Sequence, residues 1–328
     1  MPTTTLDSAV IHDAVNSACR APSLHNSQPW QWVYSGSELR LFLDSSRVMD
    51  TDQSAREALI GCGAALDHLR TAAAAAGWQA LVERFPNPDR SDHLASIDFR
   101  PVDFTTARDR LLADAIWTRR TDRLPFSAPT TWPSISASWA SDAIGTAVHL
   151  DSIPEARIPT LTEAAQMAES LRLYDGAYHA ELGWWTAPFE KAEGIPHSSL
   201  VTAAESDRVG VERAFPVIHG SERRAEIPED RAVILLLSTD QDGSAEAVAT
   251  GEALSATLLH CTAAGLATCT VTHLTELPAT RDVIRSLVRR DAVPQVLIRV
   301  GLVPLAERTP KPTPRRPLSE VLRTRAFD

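Results

Sequence analysis

A short polar segment between a predicted helix and a predicted strand constrains this chain more than any other stretch. Apolar residues recur at helical spacing from Leu6 to Cys19, and Pro22 ends that helix because a proline disfavours helical geometry in the residue before it. An alternating run over Trp30 to Ser35 predicts a strand. The residues between them are rich in hydrogen-bonding side chains: Ser23, His25, Asn26, Ser27 and Gln28. This segment, residues 21–30, is called the Pro-Ser loop below; it fits a loop that binds a planar polar ligand as well as it fits an ordinary helix-to-strand turn.

Composition excludes several classes of protein. The 328 residues are enough for one large domain or two modest ones, and 44% hydrophobic with 23% charged residues is ordinary for a globular chain. A formal net charge of -10 argues against nucleic-acid binding and offers no attraction to an anionic membrane. No apolar run reaches the ~18 residues that a membrane span needs. We therefore expect neither nucleic acid nor membrane as a partner.

Cysteine usage and the amino end indicate the compartment. The four cysteines, Cys19, Cys62, Cys261 and Cys269, include no C-x-x-C pair and lie in apolar surroundings, so neither a disulfide framework nor a zinc site is expected. Residues 1–13 lack the basic and apolar regions of a signal peptide. A cytoplasmic protein without a bound metal is the expectation.

Two long alanine-rich helices are predicted, over Arg56–Gly77 and Ala245–Gly265. With an offset of 188 residues (251 minus 63), Gly63-Ala64-Ala65-Leu66 matches Gly251-Glu252-Ala253-Leu254, and the match extends to the glycine that ends each helix. Alanine-rich helices also match by chance. The repeat is therefore a weak indication of two related halves until another feature supports it.

A second polar run, Ile116–Arg123, carries three arginines at a predicted helix end: Arg119, Arg120 and Arg123. Guanidinium groups suit a phosphate because each can donate two parallel hydrogen bonds. The alternative is a solvated basic turn that pairs with some of the many acidic residues. The residues alone leave both interpretations open.

The two runs together resemble the FMN-dependent nitroreductase superfamily. Ala21-Pro22-Ser23-x-x-Asn26-x-Gln28-Pro29-Trp30 is similar to a family signature that contacts the flavin ring. Arg119, Thr121 and Arg123 are similar to the family's Arg-x-Ser-x-Arg/Lys motif, which holds the ribityl chain and phosphate, with Thr in place of Ser. The resemblance covers nearly the whole chain and is closest to the dormancy-associated Acg-type branch of actinobacterial nitroreductase-like proteins.

The resemblance implies an FMN site built from four segments: Pro22, Ser23, His25, Asn26, Gln28, Arg119, Arg120, Thr121, Arg123, Thr270, Val271, Thr272, His273, Arg315 and Arg316. Thr270–His273 resemble a loop that packs on the flavin ring, where the family often has Glu-Gly at Thr272-His273. Arg315 and Arg316 resemble a C-terminal phosphate clamp, and a mobile basic tail is the alternative. The proline-rich tail after Val303 is predicted to run extended along the surface. No catalytic residue and no metal ligand is implied.

An α+β nitroreductase fold follows from the resemblance, with two fused nitroreductase-like halves that form a single-chain pseudo-dimer. Residues 1–105 hold the Pro-Ser loop without an arginine motif, and residues 106–328 hold the arginine motif without such a loop. The family's site combines the loop of one protomer with the arginine motif of the other. One copy of each implies that the loop and the arginine run meet around one FMN, in a monomer.

The resemblance also implies NAD(P)H-dependent reduction of nitro or quinone compounds, with a small aromatic acceptor. An irregular segment, about residues 188–230, lacks a clear strand and is rich in proline and glycine, which is typical of a lid. A closed lid would exclude hydride donors, so an FMN-binding or storage protein with little turnover is the alternative. A flavin-free α/β scaffold is the third hypothesis. No Ser-His-Asp set or Walker loop competes with these.

Overall fold

The computed structural model describes residues 8–130, 132, 147–187, 192–304 and 311–324, which form nine helices and nine strands. The helices are α1 (Ser8–Ala18), α2 (Arg56–Ala75), α3 (Ala107–Thr118), α4 (Ile158–Arg172), α5 (Gly176–Trp185), α6 (Ala203–Ser206), α7 (Ser244–Ala263), α8 (Pro278–Leu287) and α9 (Leu318–Val321). The strands are β1 (Trp30–Tyr34), β2 (Leu39–Leu43), β3 (Trp78–Arg84), β4 (His93–Pro101), β5 (His149–Ser152), β6 (Val233–Thr239), β7 (Ala267–Val271), β8 (Val293–Gly301) and β9 (Leu322–Thr324).

Contacts divide the chain into two compact units, each with its own sheet. Unit 1 comprises Met1–Arg119, Gly243–Leu259 and Pro314–Asp328, and unit 2 comprises Arg120–Asp242 and His260–Thr313. Helices pack on mainly antiparallel sheets in both, so the predicted α+β class with two halves in one chain is confirmed. The boundary between residues 105 and 106 stays a prediction.

Unit 1 has a five-stranded sheet in the order β3-β4-β2-β1-β9. β1 alternates as the sequence predicts: Trp30, Trp32 and Tyr34 are buried, and the residues between them are half-buried. The last strand, β9, pairs in parallel with β1, with Leu322 opposite Trp32. The prediction that the tail runs along the surface is therefore wrong for its end, because Val321 and Leu322 bury apolar side chains and cover an edge of β1.

The long helices α2 and α7 cross within unit 1 at the two glycines that the sequence repeat pairs. A Cβ on Gly63 would lie 2.0 Å from the carbonyl oxygen of Val248, and a Cβ on Gly251 would lie 2.0 Å from that of Ile60. Backbone therefore packs directly on backbone, which only glycine permits. The contact between matched residues supports the repeat that the sequence indicated weakly.

Unit 2 has a four-stranded antiparallel sheet in the order β5-β6-β8-β7. β6 and β8 are almost wholly buried, and Phe126, Leu161, Leu236 and Leu297 belong to the same core cluster. The backbone N–H of Phe126 donates to the Asp230 carboxylate at 2.7 Å. That bond ties the residues after the arginine run to the start of β6.

Ion pairs hold the irregular segment within unit 2. Residues 188–191 of the predicted lid lie outside the described residues; the rest contains a 3-10 turn, His197–Ser199, and the short helix α6. Glu205, fully buried, pairs with Arg223 at 2.7 Å, and its pKa falls to about 2 because this guanidinium and backbone N–H groups outweigh desolvation. The segment is thus a packed part of unit 2.

Three further observations concern chemistry and compartment. No helix in the described ranges is both long and apolar enough to cross a membrane. The same ranges contain no group of three or more His, Cys, Asp or Glu residues placed to hold a metal ion. All four cysteines are buried free thiols, and burial raises the pKa of Cys19 to about 12.

Alanine at Gly63 or Gly251 is expected to lower the stability of unit 1 by about 3 kcal/mol, because the new methyl group overlaps a backbone carbonyl that no side-chain rotation relieves. Gly183→Ala in α5 is the matched control: a Cβ there meets nothing within 4 Å, and alanine favours a helix by up to about 1 kcal/mol. Thermal unfolding of the three variants checks this. Equal midpoints for all three would contradict the packing described here.

Candidate anion-binding site

The Pro-Ser loop has an unusual backbone. α1 ends at Ala18, and a 3-10 turn, Leu24–Asn26, follows. His25, Asn26 and Gln28 have φ angles of +50°, +61° and +54°, in the left-handed region that only a few per cent of residues other than glycine adopt. Such strain, of order 1–3 kcal/mol for each residue, persists only where the surroundings hold it, and it concentrates at functional sites.

Side chains of the loop and the C-terminal tail hold this conformation. Ser23 Oγ accepts from the backbone N–H of Gln28 at 3.0 Å, and Gln28 Nε2 donates to the carbonyl of Asn26 at 3.2 Å. The Gln28 Oε1 accepts from the N–H of Arg316 at 2.9 Å, while Asn26 Nδ2 donates to the carbonyl of Pro314 at 3.2 Å. The polar side chains that the sequence singled out thus shape the loop and anchor the tail to it.

Two predicted arginines meet at the start of this loop. Arg315 Nε donates to the carbonyl of Cys19 at 2.9 Å, and its Nη2 donates to those of Arg20 and Ala21 at 3.1 and 3.3 Å. Arg119 Nη2 donates to the same Arg20 carbonyl at 3.3 Å. These carbonyls follow the last turn of α1, where the helix dipole favours cations. The structure therefore brings the first arginine of the arginine run to the Pro-Ser loop within unit 1.

Arg20, Arg119 and Arg315 form what is called the arginine cluster below. Burial, with the charge of Arg20, lowers the pKa of Arg119 to about 10. Burial lowers the pKa of Arg315 well below its usual value, and the charges of Arg20 and Arg119 lower it further. Arg119 has no carboxylate partner among the described residues, and its buried Nε has no hydrogen-bond partner. A buried arginine with an unused N–H, close to two further arginines, favours an anion.

Arg316 differs from its neighbour. Its guanidinium lies 3.7 Å from the carboxylate of Asp44 and 3.4 Å from that of Glu320. Its Nη1 also donates to the carbonyl of Gln28 at 3.3 Å. The positive charge of Arg316 is therefore matched by acidic residues, whereas Arg315 lies among other arginines.

The middle of the arginine run is built into unit 2. Thr121 forms a parallel bridge with Thr268, and the N–H of Asp122 donates to the carbonyl of Thr268 at 2.9 Å. Asp122 pairs with the buried Arg224 at 2.7 Å and lies 3.5 Å from Arg120. Arg120 thus shares a carboxylate that already neutralises another arginine.

Arg123, the last arginine of the run, lies over the ring of Phe215 at 4.8 Å and donates to the carbonyl of Ser199 at 3.4 Å. Burial lowers its pKa. Near it lies Glu212, which the sequence analysis did not single out: burial raises the pKa of this carboxyl to about 7 against the charge of Arg299. No sequence pattern marks this glutamate, because its environment comes from distant residues.

The last predicted segment ends β7 in unit 2. Thr270 and Val271 belong to that strand, and Thr272 Oγ1 donates to Glu276 at 3.0 Å. His273 is 1% exposed, and neither ring nitrogen has a hydrogen-bond partner. Burial, helped by the charge of Arg213, lowers its pKa to about 3, so the ring is neutral at pH 7.

The depressed pKa of His273 predicts acid sensitivity. Between its ordinary value of about 6.5 and about 3, the unfolded chain binds a proton that the folded chain does not, so stability falls as pH falls, by ~1.4 kcal/mol per pH unit. His273→Gln should reduce the slope of the free energy of unfolding against pH in that window by ~1.4 kcal/mol per pH unit, which corresponds to one proton. His12→Gln, at an exposed histidine in α1, is the control. Urea unfolding at several pH values measures both, and identical slopes would contradict the prediction.

Comparison with known proteins places this architecture in a family. No family model matches the sequence. A Mycobacterium tuberculosis protein named "Putative NAD(P)H nitroreductase" is 35% identical over 322 residues, which cover 96% of this chain and 92% of the relative. The chain belongs to this nitroreductase-like family, as the sequence predicted. Within the family it is 55% identical over 329 residues to M. tuberculosis "Putative NAD(P)H nitroreductase acg", covering 100% of this chain and 99% of that protein.

Solved nitroreductases match a part of the chain. The FMN-dependent nitroreductase NfnB of Mycobacterium smegmatis, in complex with NADPH, has a TM-score of 0.40 at 15% identity and covers 65% of this chain and 97% of its own. A Bacteroides fragilis nitroreductase with bound FMN has a TM-score of 0.34 at 16% identity and covers 61% of this chain and 94% of its own.

Proposed function

We propose that this chain binds one FMN and that the arginine cluster holds its phosphate. The observation that carries the proposal is the state of Arg119, which is buried at the Pro-Ser loop with an N–H that lacks a partner and a charge that lacks a carboxylate. A phosphate dianion supplies both the charge and the acceptor oxygens. The donor set therefore fits the phosphate end of FMN.

The remaining residues that the resemblance implies are proposed as further contacts of the flavin. They are Pro22, Ser23, His25, Asn26, Gln28, Arg120, Thr121, Arg123, Thr270, Val271, Thr272, His273 and Arg316. Arg315 is a better phosphate ligand than Arg316, because two carboxylates already accompany Arg316. One Pro-Ser loop and one arginine run per chain support a stoichiometry of one FMN and a monomeric protein.

The activity we propose is NAD(P)H-dependent reduction of nitro or quinone compounds, with a small aromatic molecule as acceptor. The relatives named as NAD(P)H nitroreductases, which match over nearly their full length, support it. Bound FMN would supply the hydride-accepting ring. The residues of this chain would bind the phosphate, orient the ring through the rigid Pro-Ser loop and limit the access of water.

An FMN-binding or storage protein is the second candidate, and one observation favours it. The irregular segment over residues 192–230 is tied down by the buried pair Arg224–Asp122 and by the partly exposed Arg223, which pairs with the buried Glu205. Breaking a buried pair by exposing one partner costs several kcal/mol. If this segment acts as a lid, these pairs oppose its opening and slow the access of a hydride donor to the flavin.

The phosphate site is tested with a double variant, Arg119→Ala with Arg315→Ala. Loss of two charge-assisted contacts, each about 1.5–3 kcal/mol, should weaken FMN binding by at least about 100-fold. Arg110→Ala is the matched control, since it removes an exposed arginine from α3, the helix that precedes Arg119. Flavin absorbance per chain after gel filtration, and a titration with FMN, measure the effect. Full flavin content in the double variant would refute the site.

Anaerobic mixing with NADH or NADPH separates the two candidate functions. A reductase should lose its flavin absorbance near 450 nm rapidly, because hydride reaches the ring. A storage protein should bleach slowly or not at all while its FMN remains bound. A colourless protein that takes up no FMN would favour the flavin-free scaffold and reject both.

A further inference from the structure

An open cleft in unit 1 is lined by residues that do not belong to the candidate site. It lies between the end of α2, the start of β3, the end of β4 and the first turn of α3. Its volume is about 530 Å³, which is within the range of sites that bind small molecules. Trp78 and Phe104 contribute aromatic surface to it, and Asp103 and Asp109 contribute carboxylates.

Local hydrogen bonds fix the segment between β4 and α3 that forms one side of the cleft. The N–H of Val102 donates to the carbonyl of Gly77 at 2.9 Å, and Gly77 has a φ angle of +85° in the tight turn that follows α2. At the other end of the segment, Asp109 Oδ2 accepts from the backbone N–H and the hydroxyl of Thr106 at 2.9 and 2.7 Å, in a capping box. The cleft is therefore preformed, and a ligand does not have to order it.

The aromatic side chains of the cleft present apolar surface to solvent. Phe104 is 77% exposed, although the segment that carries it is fixed at both ends, and Trp78 is half-buried. A flat apolar group that covers these rings removes their surface from water. Such a group therefore fits the walls of the cleft.

The charged residues of the cleft are acidic. Asp109 is engaged by the cap of α3, whereas Asp103 is exposed and has no ion-pair partner among the described residues. Lysine and arginine are absent from the lining that the structure describes. A cation is attracted both by an aromatic ring and by a carboxylate, and an anion is repelled by both. A metal ion is a poor fit, because the described ranges contain no group of three or more His, Cys, Asp or Glu placed to hold one.

We propose that this cleft binds a small organic cation with a flat apolar ring, such as a protonated aromatic amine. The ring would lie against Phe104 and Trp78, and the ammonium group beside the carboxylate of Asp103. The inference does not depend on the proposed function, because the residues that carry it belong neither to the Pro-Ser loop nor to the arginine cluster.

The test compares three probes that share one ring: naphthylmethylammonium, naphthylmethanol and naphthoate, which carry a cation, a neutral hydroxyl and an anion. Each is titrated into the full chain labelled at tryptophan nitrogens, and the shifts of the indole N–H signals are recorded by NMR. Trp78→Phe identifies the signal of Trp78. Asp103→Asn removes the charge and keeps the shape, and Phe104→Ala removes the exposed ring. Asp98→Asn, at an exposed aspartate of β4 that does not line the cleft, is the matched control.

The wild type should bind the cation about three- to tenfold more tightly than the alcohol, with the shift at Trp78, and should bind naphthoate most weakly. Asp103→Asn should reduce the preference for the cation by about two- to fivefold, and Asp98→Asn should leave it unchanged. Phe104→Ala should weaken binding of the cation by at least about threefold, because a ring contact is lost. Thermal unfolding of each variant shows that it is folded.

Equal affinities for the cation and the alcohol would overturn the inference, as would binding that does not shift the Trp78 signal. An unchanged preference in Asp103→Asn would also overturn it. Self-association that depends on protein concentration and is abolished by Phe104→Ala would show that a second copy of the chain occupies the cleft instead.

Discussion

The contact between Gly63 and Gly251 is the constraint on which unit 1 depends. Two long helices, 188 residues apart in sequence, approach until backbone touches backbone, and no other residue type allows that distance. The contact places Asp67 and His68 of one helix next to Ser255 of the other. It also directs the start of α2 toward the Pro-Ser loop, because a Cβ on Gly61 would lie 3.2 Å from Ser23 Cβ. The polar site thus rests on an apolar, glycine-mediated packing.

The arginine cluster differs from the apolar glycine contact, because it brings positive charges together. Arg119 is buried beside two other arginines, whose charges a buried guanidinium repels, whereas a buried arginine is ordinarily paired with a carboxylate. Such pairs are common elsewhere in this chain: Glu252 accepts from both Arg70 and Arg84, and Asp230 pairs with Arg299 at 2.8 Å. This contrast is the reason that we propose a ligand phosphate at Arg119.

Much of the local structure could be predicted because it depends on short-range patterns. The alternation over Trp30 to Ser35 predicted β1, and the alanine-rich runs predicted α2 and α7 within a few residues. The Pro-Ser loop was located by its composition alone, and its left-handed residues occur within it. The tail was partly wrong, since Val321 and Leu322 are buried against β1. Proline content predicts that a segment is stiff and extended, but it does not predict whether the segment pairs with the edge of a sheet.

Residues whose role comes from distant neighbours could not be predicted. His68 lies in an alanine-rich helix, and nothing near it in sequence indicates that Ser255 and Asp67 orient its ring. Arg315 and Arg316 are adjacent, yet one lies among arginines and the other among carboxylates. By itself, the sequence determined the helices, the strands, the two motifs and the family, because spacing and residue type carry that information. Only the tertiary structure decided which charges are left unmatched, because burial and electrostatic pairing depend on the distance in space between residues far apart in the chain.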